Sequence, residues 1–190
     1  MLTTVTQDYD RISMHGVRTA LLEKQAASLG IRLEKALMSK GASIEENESK
    51  IGEIMRRYFA EGVSLSGAGD IWLEDVRKYK DDNLARIGMK GLYPLWKRDS
   101  GQLARNFISL GFRAVITCLD STLLGKEFIG REFDESFLAD LPAGVDPCGE
   151  NGEFHSFVYD GPNFASKVQF ERGEIVLRDN RYYFCDLLPI

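Results

Sequence analysis

Apolar residues recur along the first half of the chain with two alternating periods. Leu2 to Thr6 reads as a strand, and Gly16 to Leu29 as a helix with Leu22, Ala26 and Leu29 on one stripe. Gly30 ends that helix, since glycine readily takes the left-handed conformation that helix termini use. Ile31 to Leu37 is a further strand. Ser43 to Ala60 carries Ile44, Ile51, Ile54, Met55 and Tyr58 at helical spacing. Val63 to Ile71 holds a strand ending at Gly69-Asp70, and Glu74 to Ile87 a helix with Val76, Tyr79, Asn83 and Ile87 in line. Strands separated by helices predict crossover units and a parallel sheet.

The second half changes texture. Ser100 can cap a helix carrying Leu103, Phe107 and Leu110 and ended by Gly111. Phe112 to Leu119 is an apolar run of strand length, as expected of a strand buried on both faces. Asp134 can cap a short helix ending before Pro142. Strands follow at Phe154 to Tyr159, Lys167 to Phe170, Glu174 to Leu177 and Tyr182 to Cys185, with turns at Arg172-Gly173 and Asp179-Asn180. The predicted class is α/β: a doubly wound lobe over residues 1–98, then a smaller α+β lobe over 99–190 with C-terminal hairpins. Arg98 to Gly101 is the boundary.

A length of 190 residues, 44% hydrophobic and 28% charged, suits a globular protein of one domain or two small lobes. The net charge of −5 argues against a general nucleic-acid grip, which needs clustered Lys and Arg. No apolar run approaches the ~20 residues that span a bilayer. Cys118, Cys148 and Cys185 form neither a disulfide framework nor a zinc pattern, and His15 and His155 are the only histidines. A cytoplasmic protein is expected.

Candidate chemistry gathers in Asp146-Pro147-Cys148-Gly149-Glu150-Asn151-Gly152-Glu153-Phe154. Glu150 and Glu153 each follow a glycine, and Gly149 and Gly152 let a ligand approach the backbone. The strand behind would frame an exposed carboxylate pair; the plainer reading is a tight turn with solvated glutamates. Gly69-Asp70 falls where open parallel sheets bind ligands, beyond a strand's carboxyl end. Asp70 is a magnesium ligand or ribose contact, or else caps the helix at Glu74. Ser13 and His15 precede a helix start, where they could meet a phosphate or a reacting carboxylate, and Arg18 can be a solvated charge. Trp96 is core or a substrate wall, and Cys148 a partly buried thiol.

The glutamate loop and its flanks resemble the signature Cys-Gly-Glu-x-Gly-Glu-(Phe/Tyr) of the diphthine–ammonia ligase family, part of the PP-loop (HUP-like) nucleotide-binding superfamily. Ser13-Met14-His15-Gly16, Gly69-Asp70-Ile71, Pro94-Leu95-Trp96, Gly111 to Ile116, Leu124-Gly125, Ile129-Gly130-Arg131 and Asp160 to Phe164 agree in order. The resemblance implies ATP and Mg²⁺ as cofactors, adenylation of a small-molecule or protein-borne carboxylate, and amidation by ammonia. It implies catalytic roles for Glu150, Glu153 and His15, and cofactor contacts from Ser13, Gly69 and Asp70, with Asp70 on the metal. Trp96, Gly149 and Gly152 would bind substrate. Trp96, Glu150 and Glu153 would recognise a substrate cation, or the two glutamates would hold ammonia as ammonium. The family's Ser-Gly-Gly-Lys-Asp-Ser pyrophosphate loop does not occur in this sequence, and Met1 falls within what would be the family's second strand. The expectation is a truncated or internally started relative, incomplete as an enzyme without that loop. The alternative is a non-catalytic binding module that keeps the acidic loop. Direct pairing of Leu2–Thr6 with the strand before Gly69 could preserve a smaller sheet.

Overall fold

The computed structural model describes all residues, 1–190. In chain order its elements are β1 (Leu2–Thr6), β2 (Arg11–Ile12), α1 (Thr19–Ser28), β3 (Glu34–Met38), α2 (Ile44–Ala60), β4 (Leu65–Gly67), α3 (Glu74–Ala85), β5 (Lys90–Leu92), α4 (Ser100–Ser109), β6 (Arg113–Asp120), α5 (Glu135–Asp140), β7 (Phe154–Asp160), β8 (Phe170–Arg178) and β9 (Tyr182–Pro189). The class is mixed α/β. Instead of one doubly wound sheet, the strands form three sheets, ordered β2-β1-β3, β4-β5 and β7-β6-β9-β8. The β4-β5 pair is parallel, whereas the four-stranded sheet is antiparallel throughout. β1 and β4 lie in different sheets, so the expected re-pairing between them is not formed.

The chain divides into two compact units: Met1–Leu37 with Ser100–Ile190, and Met38–Asp99. This division differs from lobes at 1–98 and 99–190, because the first 37 residues pack with the C-terminal ones. In the first unit, Val17 and Leu21 join a core with Ile116, Leu119, Phe137, Phe154, Phe157 and Leu187. Burying such side chains stabilises by about 1.5–3 kcal/mol each. Polar ties reinforce it. Asp186 on β9 accepts hydrogen bonds from Arg11 at 2.7 Å and from Arg18 at 2.7 and 3.1 Å. Arg18 is therefore one arm of a clamp, not a solvated charge. Desolvation opposes charge on Asp186, but the two guanidiniums prevail and hold its carboxyl well below the usual range.

β6 is buried at every position except Arg113, as its unbroken apolar run predicts for a central strand covered on both faces. α5 begins where Asp134 accepts the Phe137 amide at 2.8 Å. Three expectations need correction here. α1 begins at Thr19 rather than Gly16, because Arg18 is extended and bridges Arg11. Ser100 is the first residue of α4 rather than its cap. Arg172-Gly173 is no turn: β8 runs through it with a register shift against β9 between Arg172 and Ile175. The Asp179-Asn180 turn does form, with positive φ at both residues, and joins β8 to β9.

In the second unit, α2 starts with a reciprocal capping box: Ser43 accepts the Glu46 amide and Glu46 accepts the Ser43 amide. α2 is amphipathic in sequence yet has no fully buried residue. α3 carries only Leu84 into the interior.

Candidate functional site

The glutamate loop connects α5 to β7, and its carboxylates fold it. Glu153 is only 3% exposed. Its Oε1 accepts the Asp146 amide at 3.0 Å and the Asn151 side-chain amide at 2.8 Å, and Oε2 accepts the Asn151 backbone amide at 2.9 Å. Burial alone would raise its pKa, but these hydrogen bonds favour the charged form and hold it below the ordinary value. Asp146, 6% exposed, mirrors it. Its Oδ1 accepts the Cys148 amide at 2.9 Å and the Glu150 amide at 3.1 Å. The loop is thus cross-braced by two buried carboxylates, with the Asp120 amide bonded to the Glu153 carbonyl at 2.9 Å.

This corrects the picture of an exposed glutamate pair. Glu153 faces inward as a brace, while Glu150 is half-buried and the more solvent-reachable of the two. Gly149 is required at its position: φ is +68° and an added Cβ would stand 2.7 Å from the Phe154 carbonyl oxygen. At Gly152 only its φ of +85° matters, since an added Cβ would meet open space. Cys148 Sγ contacts the Ser100 carbonyl at 3.2 Å, consistent with a partly buried thiol.

Ser13, Met14, His15 and Gly16 make a tight connection after β2. The His15 amide donates to the Ser13 carbonyl at 2.8 Å around Met14, whose φ is +66°. Such three-residue turns are strained for a side-chain-bearing residue. Ser13 Oγ pairs with Thr6 Oγ1 at 3.0 Å. His15 packs on His155 of β7, ring centres 4.5 Å apart. Burial lowers the pKa of both, with a hydrogen bond to the Ser156 backbone opposing the shift at His15. For His155 the value falls to about 4, the second cause being the neighbouring His15. The fold therefore joins His15 to the strand that follows Glu153. His155 and Asp146 were missed as site residues. Asp146 carries a local signal, an Asp-Pro ahead of glycines, which favours side-chain-to-amide turns. No local signal joins two histidines so far apart in sequence.

In the second unit, Gly69-Asp70 follows β4. Asp70 does not cap α3, whose N-cap is Leu73 without a side-chain bond. Both its oxygens instead accept from Lys80 Nζ at 2.7 Å. Lys80 also lines a groove of about 560 Å³, with Ile51, Met55, Ala68, Leu84 and Tyr79. That volume lies in the range of small-molecule sites, which are mainly apolar with a few polar groups. A Cβ at Gly69 would meet nothing within 4 Å, so its backbone is open to a ligand. Tyr79 donates to Glu48.

Trp96 stands at a turn in which its amide bonds to the Tyr93 carbonyl at 3.2 Å. It is half-buried rather than core, and Arg77 lies over it with the guanidinium carbon 4.5 Å from the ring centre. The Trp96 face thus already meets a cation of the protein.

No group of three or more His, Cys, Asp or Glu gathers anywhere in the chain as a metal cage would require. Magnesium on a nucleotide needs no such cage, because one or two carboxylates suffice with phosphate and water oxygens. Asp70, beside the open Gly69 backbone, is one carboxylate of that kind, with both its oxygens held by Lys80. No helix is long and apolar enough to cross a membrane.

Residues 99–186 match the family model of the diphthamide synthase C-terminal domain. Over 144 residues, 73% of this chain and 52% of the relative, the sequence is 27% identical to a Homo sapiens protein named diphthine–ammonia ligase. A Danio rerio protein of the same name is 27% identical over 146 residues, 74% of this chain and 56% of its own length. A Schizosaccharomyces pombe namesake is 26% identical over 95 residues, 48% of this chain and 16% of its own. The chain spans about half the length of the first two.

Proposed function

From a chain related to the diphthine–ammonia ligases, carrying their C-terminal domain, we propose a part in ATP-dependent amide formation: adenylation of a substrate carboxylate, then displacement by ammonia. The observation that supports this most is the division of labour in the glutamate loop. Buried Asp146 and Glu153 use up backbone amides to hold the loop rigid, and Glu150 is set on that frame within reach of solvent.

Ammonia is held in water chiefly as ammonium, which has no lone pair, so a fixed carboxylate at Glu150 would concentrate it, accept the proton it must lose, and stabilise positive charge on the nitrogen as it attacks and the adenylate leaves. Glu153 acts through position, by keeping Glu150 in place. His15, kept largely neutral by burial, can accept or donate a hydrogen bond without adding charge against the acidic loop. Ser13 would offer a hydroxyl to phosphate, although it is shared with Thr6. Asp70, released from Lys80, and the Gly69 backbone would hold Mg-ATP, which supplies the leaving group that makes a carboxylate electrophilic. Gly149 and Gly152 leave the loop backbone open to substrate. The substrate is a small-molecule or protein-borne carboxylate, diphthine by analogy with the named relatives.

The experiment is to supply the full-length gene product with ATP, magnesium, ¹⁵N-ammonium and a diphthine-bearing protein. The expected result is pyrophosphate release matched by ¹⁵N-amide. Binding of the acceptor with neither product would instead assign a non-catalytic binding module.

A further inference from the structure

The end of the antiparallel sheet that carries the glutamate loop carries two other turns. Cys118 of β6 pairs with His155 on one side and with Phe184 on the other. Gly16, next to His15, lies against the Phe184 ring, where an added Cβ would stand 2.6 Å from the nearest ring carbon. Past Cys118, the Asp120 amide bonds to the Glu153 carbonyl at 2.9 Å, and the Ser121 amide to the Arg181 carbonyl at 2.8 Å. Glu153 and Arg181 therefore flank the end of β6, two strand spacings or about 10 Å apart along the sheet. Arg181 closes the Asp179-Asn180 turn, its amide bonding to the Arg178 carbonyl at 3.0 Å.

The Arg181 side chain reaches back to the end of β6. Nε and Nη2 both donate to Asp120 Oδ2, at 2.9 and 2.6 Å. Asp120 is held in turn, because its Oδ1 accepts the Thr122 amide at 2.9 Å and the Thr122 hydroxyl at 2.6 Å. The Asp120 side chain is 4% exposed and that of Arg181 55%. One edge of the guanidinium is thus fixed on a buried carboxylate, while Nη1 donates to no protein group and over half of the side chain meets solvent. A guanidinium has a second donor edge, whose geometry matches a carboxylate or a phosphate. The neighbouring loop supplies only negative charge, from Asp146, Glu150 and Glu153, which by itself repels an oxyanion.

We propose that Arg181 binds an oxyanion at this end of the sheet, beside the glutamate loop: the carboxylate to be amidated, or the phosphate that activates it. Held there, the reacting end of the substrate can approach Glu150 without meeting uncompensated negative charge. The oxyanion site stands on the geometry of Arg181 and Asp120. Its place in amide formation rests on the function proposed above.

Sodium pyrophosphate and sodium acetate are titrated separately into the full-length protein, against sodium chloride at equal ionic strength, while NMR follows the Arg181 Nε–H and the Tyr182 amide. A saturable shift with pyrophosphate alone assigns the phosphate, with acetate alone the carboxylate, and with both a shared oxyanion site. No shift beyond that of chloride with either anion overturns the proposal. Arg181→Lys keeps a positive charge beside Asp120 but has no second donor edge. The variant should keep its unfolding temperature and, by the Tyr182 amide, bind the active anion about tenfold more weakly, as loss of one charge-assisted hydrogen bond implies. A purely structural pairing with Asp120 predicts unchanged affinity, so a folded Arg181→Lys variant that binds as before also overturns the proposal. If that variant does not fold, the contrast with chloride in the unaltered protein decides. The titrations need neither ATP nor ammonia, so failure of the amide-forming reading would leave the result intact, and the reverse also holds.

Discussion

His15 and His155 have ring centres 4.5 Å apart, and burial depresses the pKa of each below the ordinary 6.5, His155 to about 4. The unfolded chain therefore binds protons first as pH falls. Stability from this pair is fully present above about 6.5 and lost between there and about 4. Asp120, held near 2 by Arg181 and Thr122, loses its contribution only below its ordinary 3.8, so the two windows separate. Urea midpoints should fall as pH drops from 6.5 towards 4.5, and His155→Gln should flatten that fall; a flat profile in the unaltered protein would refute the burial argument. The glycines around Glu150 were legible in the sequence because an open, positive-φ backbone restricts residue type locally. The inward turn of Glu153 was not, since it depends on which amides the loop aims at it. Nor was Arg77 over Trp96, a contact between a helix and a turn after the next strand.

At the scale of elements, periodicity and end signals located β1, α2, β6 and β7 closely, because an apolar stripe, face or run in each extends over enough residues to be counted. β2 and β5, two and three residues long, are too short to show a period. The passage of β8 through Arg172-Gly173 was hidden for another reason: glycine serves a bulge as well as a turn. The elements also differ in how deeply they are held. β6 is buried at all but one position, whereas α2, although well capped, buries no residue fully. Amides of α2 should open at a free energy lower by about 2 kcal/mol or more than those of β6. Native-state hydrogen exchange checks this. Equal protection of the two would mean that α2 is held by more than its packing shows.

For the whole molecule, the alternation of strands and helices gave the α/β class but not the partition into sheets. A local pattern says that a strand exists, and long-range contacts decide what it pairs with. The Asp186 clamp on Arg11 and Arg18 ties the start of the chain to its last strand, and no sequence period reports such a contact. The resemblance carried by scattered motifs reached further than periodicity, and the match over residues 99–186 includes the glutamate loop. That loop is central to the functional account, which assigns chemistry to Glu150 and architecture to Glu153. The most direct test compares Glu150→Gln with Glu153→Gln in the full-length protein, measuring ammonia-dependent amide formation alongside thermal unfolding. Glu150→Gln should keep its unfolding temperature and lose most of its turnover. In Glu153→Gln an amide nitrogen must face a buried donor, which should cost about 1–3 kcal/mol of stability. Normal turnover by a folded Glu150→Gln variant would contradict the account.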